Sequence, residues 1–243
     1  MKEYLQPWFQ ALDDGRLIET EEQFIEVLTN AHPGRVQTVN LQHLHLAKFV
    51  PDALASLRTA DFVTADGWPL VYAARRMGHT SCRRVTGKWL CKAVVDGRLI
   101  TDYVILGSDS TACDSFQKHA ERHGSERRMC LHGPTSEWDL GAIADDLNRL
   151  GPRLILVALG APKGEKLAAD LRADVRGSII VGVGGGVEMA TGRMPSAPAF
   201  IERLNLEWLY RLTNEPRRMA RRYLFECPPI AIELLTVRRD AQR

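Results

Sequence analysis

Residues 154–186 read LILVALGAPKGEKLAADLRADVRGSIIVGVGGG. Two short apolar runs, 154–159 and 178–183, flank a helical pattern that ends near Ala173. The first run leads into Gly160-Ala161-Pro162 and the second into Gly184-Gly185-Gly186. Strand, glycine loop, helix, strand, glycine loop is the signature of a βαβ unit.

The same unit recurs upstream. Residues 36–39 lead into Asn40 and a helical stretch over 41–58 that Pro51 interrupts. Residues 62–64 lead into Asp66-Gly67 and a helix with Pro69 in its first turn and Gly78 past its end, the usual placement of those two residues. Residues 103–106 lead into Gly107-Ser108-Asp109 and a helix to about His123, and 128–131 is a further strand. Alternating strands and helices predict an α/β fold, a Rossmann-like parallel sheet with helices on both faces. Ligands of such sheets bind outside the carboxyl ends of the strands. The loops at 40, 66, 107, 160 and 184 are therefore expected to share one cleft. Three of them are glycine-rich, so backbone N–H groups can approach a phosphate.

Two familiar phosphate motifs are missing. The run from Gly182 to Val187 fails the dinucleotide pattern G-x-G-x-x-G at its last position, and no G-x-x-x-x-G-K-[ST] occurs.

The chain has 243 residues, 45% hydrophobic and 26% charged, with a formal net charge of +2. This excludes whole-chain disorder and gives no sign of a nucleic-acid binder. The first residues hold no apolar stretch long enough for a signal peptide and no apolar run of about 18 residues occurs, so neither a signal peptide nor a spanning helix is expected. The five cysteines (82, 91, 113, 130, 227) form no C-x-x-C pair and read as reduced thiols of a cytoplasmic protein.

From Ala199 the pattern changes. Phe200, Ile201, Leu204, Trp208 and Leu212 recur at helical spacing, Pro216 opens another helix, and Pro228-Pro229 predicts a break before an apolar stretch over 230–237. Residues 201–243 hold nine arginines against six carboxylates, a local +3. The chain thus divides into a core over 1–198 and an appendage over 199–243. Basic and aromatic residues beside an apolar tail suit either packing on the core or an anionic membrane surface.

The motifs resemble the WecG/TagA/CpsF family of bacterial glycosyltransferases. The most specific block is Val181-Gly182-Val183-Gly184-Gly185-Gly186, Thr191-Gly192, Ala197-Pro198, Leu206-Glu207-Trp208-Leu209-Tyr210-Arg211-Leu212 and Glu215-Pro216-Arg217-Arg218. Thr38-Val39-Asn40, Ala65-Asp66-Gly67, Arg84-Val85-Thr86-Gly87 and Gly160-Ala161-Pro162-Lys163-Gly164-Glu165 agree in order. The resemblance covers about residues 38–223. It implies inverting, metal-independent transfer of a hexose, often N-acetylmannosamine or its uronic acid, from a UDP-sugar to a polyprenyl-diphosphate-linked sugar. It also implies a peripheral enzyme on the inner face of the cell membrane, and allows a homo-oligomer. No cofactor and no metal site is expected.

Such a transfer needs a base for the acceptor hydroxyl, positive charge for the leaving diphosphate and an aligned anomeric carbon. By resemblance, Asp66 matches the catalytic aspartate, although an Asp there also suits a helix cap. Thr38 and Asn40 resemble the sugar-binding Thr-x-Asn; a strand-end turn with an Asn cap is the plainer reading. Arg84, with Arg83 as competitor, matches a pocket arginine whose guanidinium suits phosphate. Gly107, Gly160, Gly184 and Gly185 are expected to form the backbone cradle, with Glu188 toward the nucleoside. Arg211, Arg218 and Arg221 match the appendage arginines that meet the diphosphate.

The chain departs from the family at Gly164, where Gln is usual, at Lys88, where an acid is usual, and at Met194-Pro195-Ser196. These departures bear on the donor sugar and leave a non-catalytic nucleotide-sugar-binding partner as the alternative. His43 and His45, two apart on a predicted helix, diverge; His119 with His123 lacks a third ligand, and Cys130 with His132 lacks an acid partner.

Overall fold

The runs that read as strands pair side by side in one sheet. The computed structural model describes residues 1–30 and 33–237, without the side chains of Ala199, Arg203 and Arg218. Arg238, Arg239 and Arg243 of the basic tail lie outside the described residues. Among these, the strands are β1 (Leu17–Ile18), β2 (Gly34–Val39), β3 (Phe62–Ala65), β4 (Asp102–Leu106), β5 (Glu126–Leu131), β6 (Leu154–Val157) and β7 (Ile179–Gly182). All pairings are parallel, in the order β1-β3-β2-β7-β6-β4-β5. Every strand therefore ends on the same edge of the sheet.

Helices α1 (Gln6–Asp13) and α2 (Glu21–Thr29) flank β1, and α3 (Leu41–Phe49) and α4 (Pro51–Arg58) follow β2. Helices α5 (Trp68–Arg76) and α6 (Gly87–Val95) join β3 to β4. Then α7 (Ser110–Ala120), α8 (Leu140–Leu150) and α9 (Lys163–Asp174) link the following strands in turn. Helix α10 (Gly186–Ala190) follows β7. The C-terminal segment holds α11 (Ala199–Arg203), α12 (Glu207–Asn214), α13 (Pro216–Arg221), a π-helical turn (Arg222–Glu226) and α14 (Cys227–Thr236).

Alternate residues of the central strands enter opposite layers, as the two-residue period of a strand requires. Tyr103 and Ile105 of β4, Leu156 of β6 and Val181 of β7 pack with Phe24, Leu90 and Phe116. Val104, Leu106, Ile155, Val157 and Ile180 pack on the other side with Leu147 and Leu171. A further cluster joins Val63 of β3 to Trp8, Phe9, Leu44, Leu57 and Leu70. Helices α6 and α10 approach closely at Gly87 and Gly186: a Cβ at Gly87 would stand 2.6 Å from the Val183 Cα.

Three features depart from the sequence expectation. The helical spacing from Phe200 to Leu212 is interrupted, because Asn205 adopts φ 58° and separates α11 from α12. Pro228 and Pro229 open α14 instead of ending a helix, since first-turn N–H groups need no intrahelical partner. Cys113 of α7 and Cys130 of β5 are joined by a disulfide, with Cα atoms 6.5 Å apart. The expectation of five reduced thiols is corrected there: α7 crosses over β5, an adjacency that the spacing of the cysteines did not reveal. Cys82, Cys91 and Cys227 are free and buried.

Ile230 and Leu234 of α14 are buried in the same cluster as Trp8 and Leu44, so α14 packs on α3 and α5. Part of the segment read as an appendage thus contributes to the core.

Candidate functional site

The carboxyl ends of β3, β2, β7 and β6 open into a cleft of two adjoining lobes. The larger, about 350 Å³, is walled by Trp68, Pro69, Trp208, Tyr223, Pro228 and Ala231. The smaller, about 140 Å³, is walled by the loops around Gly160 and Gly182–Gly186, with Thr38, His43, Glu165 and Lys88. Asn40, Gln42, Asp66, Glu207, Arg211 and Arg222 line both lobes and form their junction.

Asp66 follows β3, and its N–H donates to the Val39 carbonyl at 2.7 Å, tying the loop to β2. The cap position of α5 is taken by Gly67 at φ 145°, a conformation that disfavours any side chain, and no side chain caps that helix. The Asp66 carboxylate thus accepts no hydrogen bond among the described residues. Burial pushes its carboxyl above the ordinary 3.8, while Arg84 and Arg211 pull the other way.

Thr38 donates its hydroxyl to the Gly182 carbonyl at 3.0 Å, joining the ends of β2 and β7. Asn40 caps α3: its Oδ1 accepts from the Gln42 and His43 N–H groups at 3.0 and 3.2 Å. The plainer reading of Asn40 as a cap is therefore correct, and its amide nitrogen is left to serve the cleft it lines.

Arg84 lines the larger lobe, whereas Arg83 is exposed. Arg84 Nη2 lies 2.8 Å from Glu207 Oε2, and Arg211 Nη2 lies 2.7 Å from Glu207 Oε1. One carboxylate thus holds two guanidiniums. Burial works to raise the Glu207 carboxyl, but Arg211 and Arg84 outweigh it and hold it below the ordinary 4.5. Lys88 pairs with Glu202, so the core and the C-terminal segment are joined by a second ion pair.

Gly160, Gly184 and Gly185 line the smaller lobe. Gly107 does not line either lobe: its N–H donates to the Leu131 carbonyl at 2.8 Å, and a side chain there would collide with Leu159. Glu188, on α10, also lies outside the lining; Ser108 donates to its Oε1 at 2.6 Å, and its Oε2 is buried with no partner among the described residues. Arg221 projects outward, 85% exposed, and pairs with Glu226 at 3.0 Å. The Arg218 side chain lies outside the described residues.

Arg222 is the cleft arginine that the sequence reading passed over. It sits on the π-helical turn, a distortion frequent at functional sites. It lines both lobes, and among the described residues it has no carboxylate partner. A helical wheel cannot separate it from Arg221, because adjacent helical residues share the same basic arc; only the packing of the C-terminal segment shows that Arg222 lines the cleft and Arg221 is exposed.

The site therefore offers a free carboxylate, three converging guanidiniums, a glycine-lined lobe and an apolar lobe. Compared with known families, the chain matches the model described as the glycosyl transferase WecG/TagA/CpsF family over residues 9–243.

Proposed function

The chain belongs to the WecG/TagA/CpsF family and is a glycosyltransferase of cell-surface polysaccharide synthesis; from that premise we propose that it moves a hexose, of the N-acetylmannosamine type or another, from a UDP-sugar to a polyprenyl-diphosphate-linked sugar with inversion. The observation that carries this reading is the free Asp66 carboxylate at the junction of the two lobes. Donor sugar and diphosphate occupy the smaller, glycine-lined lobe. The acceptor enters through the larger lobe, whose walls include Trp68, Trp208 and Tyr223.

The acceptor hydroxyl attacks the anomeric carbon from the face opposite the diphosphate. Asp66 takes its proton as the new glycosidic bond forms and the bond to the diphosphate oxygen breaks. The raised carboxyl of Asp66 makes it a better base than an exposed aspartate. Arg211 and Arg222, which line both lobes, supply positive charge to the departing UDP, a role for which guanidinium geometry is suited, and Arg84 adds to it from the adjoining lobe. Thr38 and Asn40 align the sugar between these groups. On this reading turnover persists in the presence of a metal chelator.

The C-terminal segment brings the enzyme to its lipid substrate at the cytoplasmic face of the membrane. Phe200, Leu204, Phe225 and Ile232 are exposed in that segment, as is Arg221. Exposed apolar side chains in a segment with a net basic sequence suit an anionic bilayer. No helix of the described residues is long and apolar enough to cross a membrane.

The test is UDP release from a panel of UDP-sugars with a short-chain polyprenyl-diphosphate-sugar acceptor. The expected result is one preferred donor, a product one hexose longer and loss of turnover in Asp66→Asn. Tight donor binding without any turnover supports the non-catalytic alternative. Undiminished turnover in Asp66→Asn overturns the base assignment.

A further inference from the structure

Beneath the smaller lobe lies a chain of polar contacts that the transfer step above does not use. Glu165, on the first turn of α9, and His43, on α3, are both more than nine-tenths buried. They come together at 2.9 Å between His43 Nε2 and Glu165 Oε1. The other ring nitrogen, Nδ1, accepts the Asn40 N–H at 3.2 Å. An accepting Nδ1 carries no proton, so Nε2 bears it and donates to Glu165.

The main chain of Glu165 is fixed as well: Ser56 donates to its carbonyl at 3.1 Å, and Ser56 in turn is held by the buried Arg35. Burial works to raise the Glu165 carboxyl, but His43 and Arg35 hold it below the ordinary 4.5. The side chain is therefore an ionised carboxylate with one oxygen committed. The second oxygen, Oε2, is shielded from solvent and has no hydrogen-bond partner among the described residues. An ionised oxygen left in that condition is costly, and native structures rarely keep one without use. Glu165 lines the smaller lobe with Gly160 and Gly184, at both of which a side chain would meet nothing within 4 Å. The lobe thus has room for a polyhydroxylated ring beside Glu165, and the broad terminal torsion of a glutamate lets Oε2 turn to meet it.

We propose that Glu165 reads the donor sugar: its Oε2 accepts a hydrogen bond from a hydroxyl, or from an acetamido N–H, of the transferred hexose, and His43 is the residue that positions it. This rests on the donor reading above. A carboxylate that accepts only, fixed by the Nε2–H of a histidine whose Nδ1 is itself engaged, discriminates by hydroxyl position. A sugar lacking that group leaves a buried charge unpaired.

The experiment compares the affinities of UDP and of UDP-hexoses or UDP-N-acetylhexosamines by calorimetry, with the corresponding singly deoxy donors. In Glu165→Gln the His43 N–H claims the amide oxygen and the amide nitrogen replaces Oε2, so an acceptor becomes a donor. The expected result is that the advantage of the best UDP-sugar over UDP falls by about 10- to 150-fold, the range of a hydrogen bond to a charged group, while UDP itself binds as before. One deoxy donor reproduces that loss in the wild type and shows no further loss in the variant. His43→Phe lowers the same ratio with UDP affinity kept, a split that general loss of structure does not produce.

Equal UDP-sugar advantage in wild type and Glu165→Gln overturns the proposal and leaves the donor reading standing. Failure of the wild type to bind UDP or any UDP-sugar overturns the donor reading, and the proposal with it. If Glu165→Gln loses UDP as well, the wild-type deoxy series decides: absence of any single position that matters overturns the proposal.

Discussion

Arg84 and Glu207 meet at 2.8 Å across the boundary between the α/β core and the C-terminal segment. Arg84 follows β3 by way of α5, and Glu207 opens α12, 123 residues later in the chain. The same carboxylate holds Arg211, so the pair fixes both the docking of α12 and the aim of two cleft guanidiniums.

Glu207→Gln leaves two half-buried guanidiniums without their counter-charge. The expected cost is about 1–3 kcal/mol in unfolding free energy, together with faster proteolysis within 199–237. Because the folded Glu207 carboxyl lies below 4.5, its contribution is present above that value and is lost as pH falls through the folded value. The wild type is therefore expected to show faster proteolysis of the same segment only in acid. Unchanged cleavage in the variant at neutral pH contradicts the docking role.

Asp66→Asn is expected to lower kcat by about 10²- to 10⁴-fold, the usual contribution of a general base, with donor binding kept. It is also expected to raise Tm. A folded carboxyl above 3.8 contributes stability below that value and loses it as pH rises, so at neutral pH the native charge is a burden that Asn removes. A variant both inactive and less stable argues that Asp66 is structural.

The same shift fixes the acid limb of activity. Asp66 must be ionised to accept a proton, and burial places its titration above that of an ordinary aspartate. The kcat/KM profile for the free enzyme should fall on the acid side at a pH displaced upward from 3.8. In Asp66→Asn that limb should vanish from the residual activity.

Asn40 has two jobs that substitution separates. Asn40→Ala removes the α3 cap and is expected to cost about 1 kcal/mol. Asn40→Ser keeps a capping oxygen and most of the stability, but loses the amide nitrogen. If transfer falls equally in both variants, the amide serves the sugar; full activity in Asn40→Ser shows that only the cap matters.

Arg222→Ala is expected to raise the donor KM by at least tenfold, about the effect of one lost charge-assisted hydrogen bond to phosphate. Arg221→Ala should change it little, since that side chain is exposed and paired with Glu226. The reverse order of effects would place Arg221, not Arg222, on the diphosphate.

The order of apolar runs and glycine loops was enough to predict a parallel α/β sheet, because a strand's need for a partner and a helix's need to cover it are local requirements. The loops at Asn40, Asp66, Gly160 and Gly184 were also legible, since parallel strands must end on one edge. The family match over residues 9–243 rests on sequence as well. Tertiary structure decided the rest. Whether Asp66 caps a helix or stays free depended on Gly67 taking the cap position. Which arginine enters the cleft depended on how the C-terminal helices dock on the core, which leaves Arg221 exposed and sets Arg222 in the lining. The disulfide between Cys113 and Cys130, and the contact between His43 and Glu165, join residues 17 and 122 positions apart. Such contacts are set by how helices cross the sheet, a property of packing that no local spacing records.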